Sequence, residues 1–189
     1  MTTIDLSTIT PMYATINADE SPADLLARAD IPHESILLVT ALDEENRRCP
    51  VAVIDWRSLS AMRSDTASLR TLAIRLPSLI TMELDGDCVD AHALLALADT
   101  LSQLPAVPGV ILERNDETPT AFSRTDIAAV LPLELLSGDE LRGDTEPADL
   151  RVRYTCGKCV PPSFHITKPM NQRVPTCRRV WFHGPMEAT

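Results

Sequence analysis

Residues 36–62 read ILLVTALDEENRRCPVAVIDWRSLSAM, and residues 110–130 read VILERNDETPTAFSRTDIAAV. Each stretch is an apolar run, a charged turn, a second apolar run and an amphipathic segment. In the first, residues 36–40 (ILLVT) have the short, β-branched pattern of a buried strand. DEENRR is a solvated turn. Residues 50–55 (PVAVID) make the return strand, and WRSLSAMRS reads as a helix carrying Trp56, Leu59 and Met62 inward. In the second, residues 109–113 (GVILE) form a strand, RNDETP a turn, TAFS a short strand and RTDIAAVL a helix. The two stretches align when the second turn is made shorter.

Working outward, each stretch is preceded by a strand and a helix. Residues 12–17 (MYATIN) are a short strand. Ser21 fits the N-cap of the next helix, Pro22 its first position and Asp24 its positive end. That helix is predicted to run through DLLARAD, with Leu25, Leu26 and Ala29 on one face, and to stop at Pro32. In the second half, residues 79–84 (LITMEL) form a strand, Asp87 caps a helix and Asp90 sits in its first turn. HALLALADTLSQL places Leu94, Leu97, Ala98 and Leu101 at helical spacing, and Pro105 and Pro108 end it. The expected fold is α/β: two tandem β-α-β-β-α repeats, at about 8–68 and 76–136, packed with pseudo-two-fold symmetry. The acidic segment 137–150 (SGDELRGDTEPADL) reads as a linker, and residues 151–189 as a separate small lobe.

This order resembles a tandem pair of cystathionine-β-synthase-type (CBS) repeats, a Bateman module, over residues 8–132. The local motif is a short strand ending in Ser or Thr, with Asp three residues on. It reads Ala121-Phe122-Ser123-Arg124-Thr125-Asp126 in the second half, with Ala121 where the family usually has glycine. The first half has the polar residues exchanged, with Asp55 and Ser58 at the matching positions. The resemblance implies an adenosine ligand (AMP, ATP or S-adenosylmethionine) near Ser123, Thr125, Asp126, Asp55 and Ser58, and self-association into a dimer. A helix N-terminus suits a phosphate, and the Asp126 carboxylate could accept from ribose hydroxyls. The same S-x-x-D also spells an ordinary capping box.

Composition narrows the function. The chain has 189 residues, 44% hydrophobic and 23% charged, which suits a folded protein. No G-x-G-x-x-G or G-x-x-x-x-G-K-[ST] occurs. MTTIDLSTIT has neither the basic nor the apolar region of a secretory signal, and no apolar run reaches the ~18–20 residues of a membrane span, so the expected location is cytoplasmic. Overall 17 basic and 27 acidic residues give a net charge of −10. The tail opposes this: Arg151, Arg153, Lys158, Lys168, Arg173, Arg178 and Arg179 face Glu187 alone, a net +6, which leaves residues 1–150 at −16. Only the tail could attract nucleic acid.

Three of the five cysteines lie in that tail. Cys49 and Cys88 read as packing residues. Cys156-Gly157-Lys158-Cys159 is a C-x2-C knuckle, its glycine allowing a tight turn and its lysine lowering the thiol pKa. Cys177 follows, then His183 after five residues. Three thiolates and one imidazole make the closed tetrahedral set of structural zinc, with His165 as a rival fourth ligand. Residues 152–154 and 180–182 are expected to be the strands of a ribbon. The tail resembles a zinc ribbon with three cysteine ligands and one histidine. A redox C-x-x-C normally precedes a helix, which Val160-Pro161-Pro162 forbids.

No nucleophile elbow, H-E-x-x-H or paired acid and base appears, and His33 and His92 receive no catalytic role. The sequence points to a non-enzymatic regulatory or adaptor protein whose basic, zinc-stapled tail docks on a protein partner. The alternatives are a nucleic-acid-associated regulator using the tail's cations with Trp181 and Phe182, and a thiol redox protein.

Overall fold

The computed structural model describes residues 3–43, 46–84, 86–114, 118–131, 152–167, 174–177, 179 and 183–189. The first half contains β1 (Thr3–Asp5), β2 (Tyr13–Asn17), α1 (Pro22–Leu26), β3 (Ile36–Leu42), β4 (Arg48–Ile54) and α2 (Trp56–Ala61). β2 lies parallel to β3 and β3 antiparallel to β4. Alternation sets the two faces of this sheet. Leu37 and Val39 turn to the side covered by Leu25 of α1 and Leu59 of α2. Ile36, Leu38 and Val53 turn the other way. A bulge between Val39 and Thr40 absorbs one residue of β4, Val51, which has no partner in the ladder.

The second half contains β5 (Ile80–Leu84), β6 (Cys88–Asp90), α3 (Ala91–Gln103), β7 (Gly109–Arg114), β8 (Thr120–Ser123) and α4 (Arg124–Val130). β5 is parallel to β7, and β7 antiparallel to β8. That is the sense of pairing of β2, β3 and β4. Ile80, Met82, Val110, Leu112 and Phe122 pack against Leu94, Leu97 and Leu101 of α3 and Ile127 of α4. Leu79, Ile111 and Ala121 point to the opposite face, where they meet Ile36, Leu38 and Val53 of the first half. A mixed α/β fold is thus present, with an apolar contact between its halves.

Four local expectations need correction. α1 ends at Leu26 and Ala29 is exposed: Arg28 binds Glu20 and Asp30 instead of continuing the helix. The cap of α3 is Asp90, whose carboxylate accepts from the His92 and Ala93 N–H groups, because residues 88–90 are spent on a strand paired with β1. Cys88 is exposed and Cys49 half-buried. In β6 the inward position falls to Val89, and alternation turns Cys88 out. Trp56 is only half-buried: its ring stacks on exposed His33, and its Nε1 donates to the Pro32 carbonyl.

The tail supplies β9 (Val152–Cys156), β10 (Ser163–Thr167), β11 (Thr176–Cys177), β12 (Gly184–Pro185) and β13 (Glu187–Ala188). β9 and β10 form an antiparallel hairpin, and β10 lies parallel to β5, in the order β13-β9-β10-β5-β7-β8. Strand pairing therefore joins the tail to the second half. The segment 137–150 and the strand expected over 180–182 lie outside the described residues. Among the described helices none is long and apolar enough to cross a membrane.

Candidate metal centre

β9 ends on Cys156, and the next turn closes with the Cys159 N–H on the Cys156 carbonyl at 3.3 Å. Val160-Pro161-Pro162 then leads into β10, with no helix after the knuckle. On the other side β11 ends at Cys177, which pairs across with Gly184. Gly184 has φ +83°, a left-handed conformation that suits glycine, and it sits directly after His183. The Gly157 backbone is not in that region, and a Cβ there would meet nothing within 4 Å. The knuckle turn therefore does not need its glycine; the turn beside the histidine does.

Cys156, Cys159, Cys177 and His183 offer four ligand atoms within 4.8 Å of one another. The His183 Nδ1 stands 3.5 Å from the Cys156 sulfur, 3.3 Å from Cys159 and 4.0 Å from Cys177. Cys159 and Cys177 are 3.4 Å apart. Ligands at ~2.3 Å for sulfur and ~2.0–2.1 Å for nitrogen stand roughly 3.5–3.8 Å apart around a tetrahedral ion. The group could hold a metal such as zinc. All three sulfurs are buried and His183 is half-buried. Met186 and Tyr154 pack beside them.

The protonation pattern follows from this crowding. The hydrogen bond between the Cys177 and Cys159 sulfurs pulls the Cys159 pKa down to about 5 against the opposing effect of burial. Cys177 is pushed up by the same hydrogen bond and by burial, while the Arg179 backbone N–H on its sulfur pulls the other way. The Ser163 hydroxyl also supports a Cys159 thiolate. It is 2% exposed and its oxygen has no hydrogen-bond partner, sulfur included, among the described residues. Lys158 is not among the causes of the Cys159 and Cys177 shifts. Its ammonium donates to the His183 carbonyl at 3.0 Å and so positions that ligand.

Arg179 is a buried residue beside the cluster whose placement sequence reading missed. Its side chain is buried, with one guanidinium nitrogen on the Pro161 carbonyl at 2.8 Å and the other on Ala73 at 2.8 Å and Leu76 at 2.6 Å. Burial lowers its pKa, and the neighbouring thiolates oppose that shift. Nothing in the pattern Cys177-Arg178-Arg179 distinguishes it from a surface cation.

The remaining candidates are dispersed. His165 lies in β10 with its Nδ1 on the Thr81 hydroxyl, outside the ligand cluster. Ser123 caps α4: its hydroxyl accepts from the Asp126 N–H at 3.0 Å, and the Asp126 carboxylate accepts from the Ser123 N–H at 2.7 Å. Both are thus committed to a capping box. Thr125 is exposed. Asp55 caps α2 by accepting from the Ser58 N–H at 2.7 Å. Trp181 and Phe182 lie outside the described residues. No model of a known protein family matches the chain, and no curated protein matches it.

Proposed function

We propose that the chain is a non-enzymatic regulatory or adaptor protein of the CBS-pair type, whose Cys3His group holds a structural zinc ion. The observation that carries this reading is the cluster of three buried sulfurs and one imidazole within 4.8 Å. A four-ligand set leaves no open position for a substrate, which favours a staple over a hydrolytic centre. The recurrence of parallel, then antiparallel, pairing around a helix in both halves supports the CBS-type reading. Metal analysis of the purified chain tests the zinc part, with one equivalent expected and none overturning it.

The nucleotide part rests on Ser123, Thr125 and Asp126, with Asp55 and Ser58 in the first half. A ligand phosphate at α4 has to compete with the Asp126 carboxylate for the Ser123 N–H. Calorimetric titration with AMP, ATP and S-adenosylmethionine separates a sensor from a bare adaptor. Heat at submillimolar ligand marks the first, and none at millimolar ligand the second. The protein partner is expected to bind the basic tail, and a dimer is read by light scattering. A thiol redox protein is the second reading, favoured by the 3.4 Å approach of Cys159 and Cys177. Fast alkylation of the native protein at Cys159 supports it, since metal-bound thiolates react slowly.

A further inference from the structure

Arg179 joins three parts of the chain. Its donors reach Pro161, two residues beyond the ligand Cys159, and it lies two residues beyond the ligand Cys177. The other acceptors, Ala73 and Leu76, are the first residue and the C-cap of a 3-10 turn at Ala73–Arg75 that leads from the first half into the second. A cleft of about 220 Å³ opens there, and Ile74 and Val160 on its rim are 67% and 63% exposed. The Arg179 hydrogen bonds tie the knuckles to the turn across this cleft.

A buried guanidinium needs both acceptors and nearby negative charge. The carbonyls supply the first. Three thiolates around a doubly charged cation leave one net negative charge, which supplies the second. Fixing Cys159 and Cys177 on one ion also fixes Pro161 relative to Arg179. The other links between the two cysteines, their sulfur contact at 3.4 Å and the His183 Nδ1 at 3.3 and 4.0 Å, are weaker than metal coordination.

We propose that metal occupancy of the Cys3His group gates the docking of the tail on the junction between the two halves, with Arg179 as the bolt. The inference rests on the zinc reading and adds a conformational consequence to it. Release is confined to the knuckle side, because β10 stays paired with β5 through its own ladder.

The test is hydrogen exchange of the full chain, zinc-loaded and chelated, alongside Arg179→Met and Arg179→Lys and with zinc content measured in every sample. In the wild type, chelation is expected to speed exchange over residues 70–78 at least tenfold and to leave α3 unchanged. Zinc-loaded Arg179→Met is expected to show the same fast exchange with its metal retained. Arg179→Lys, which keeps the charge but cannot span three carbonyls, is expected to be intermediate. A wild type that loses zinc and keeps residues 70–78 protected overturns the gate alone. So does a zinc-loaded Arg179→Met with normal protection. A chain that takes up no zinc overturns the zinc reading and the gate together. If Arg179→Met fails to fold, as loss of α3 protection would reveal, the wild-type pair decides.

Discussion

The body and the tail are held together by different physics. The two halves rest on apolar clusters, one around Phe122, Leu94 and Leu97 and one around Leu37, Ile54 and Leu59, each lying between a sheet and helices. The buried cluster of the tail is Cys156, Cys159, Cys177 and Met186. An apolar core tolerates the loss of one member at a cost in stability. A ligand cluster has no such redundancy, since every member holds one of four positions. Size therefore does not rank the two regions; what matters is how each responds to deletion.

The largest contrast is expected from Cys177→Ser. Zinc content should fall from one equivalent to near none in competition with a chelator, and protection of residues 152–156 should weaken while α3 keeps its own. His183→Ala should follow Cys177→Ser. His165→Ala should keep its zinc, because His165 is engaged with Thr81 in the sheet. Metal analysis of the three variants reads all of this, and zinc loss in His165→Ala would reverse the assignment of the fourth ligand.

The body should respond in the opposite way. Phe122 is 1% exposed, and Phe122→Ala is expected to cost about 3–5 kcal/mol in denaturant unfolding with the zinc content unchanged. Gly109→Ala attacks the same place from the backbone. A Cβ there would stand 2.3 Å from the Phe122 carbonyl oxygen, so β7 and β8 must separate, at roughly 1–3 kcal/mol. If either change removed the metal, the two regions would have to be treated as one cooperative unit.

How much of this was legible in the sequence differs along the same division. The strands of both halves show because alternation and β-branching are local, and Ser21 and Ser123 are legible as caps for the same reason. The ligand set shows because cysteine spacing is a chemical signal. What did not show depends on distant partners. β10 alternates as Ser163-Phe164-His165-Ile166-Thr167, yet one of its neighbours, β5, lies some eighty residues earlier, and its Thr81 takes the His165 ring. β1 is three residues long and takes its identity from β6. Arg179 looks like a surface cation until the carbonyls of Ala73 and Leu76 are placed around it.

Ser163 sharpens the comparison on a smaller scale, because it is a body-like buried residue serving the tail. Ser163→Ala removes a buried hydroxyl that has no hydrogen-bond partner among the described residues and that favours the Cys159 thiolate electrostatically. Polar groups that orient metal ligands are worth roughly 10–100-fold in metal affinity. The expected result is weaker zinc binding by about that factor with unfolding of the body unchanged. Unaltered affinity would reduce Ser163 to a space-filling residue of β10.

The smallest effect separates two glycines of the tail. Gly184 takes φ +83°, so Gly184→Ala forces a side chain into the left-handed region at roughly 1–2 kcal/mol, right beside a ligand. Gly157 stands between two ligands but has no positive φ, and open space surrounds the position of a Cβ. Gly157→Ala is therefore expected to fall within about 0.5 kcal/mol of the wild type, as surface changes do. Zinc affinity and thermal midpoint, measured for both variants, check this. A costly Gly157→Ala beside a harmless Gly184→Ala would mean that metal binding reshapes the knuckle into a turn of a different kind. The strain would then lie between Cys156 and Cys159, not next to His183.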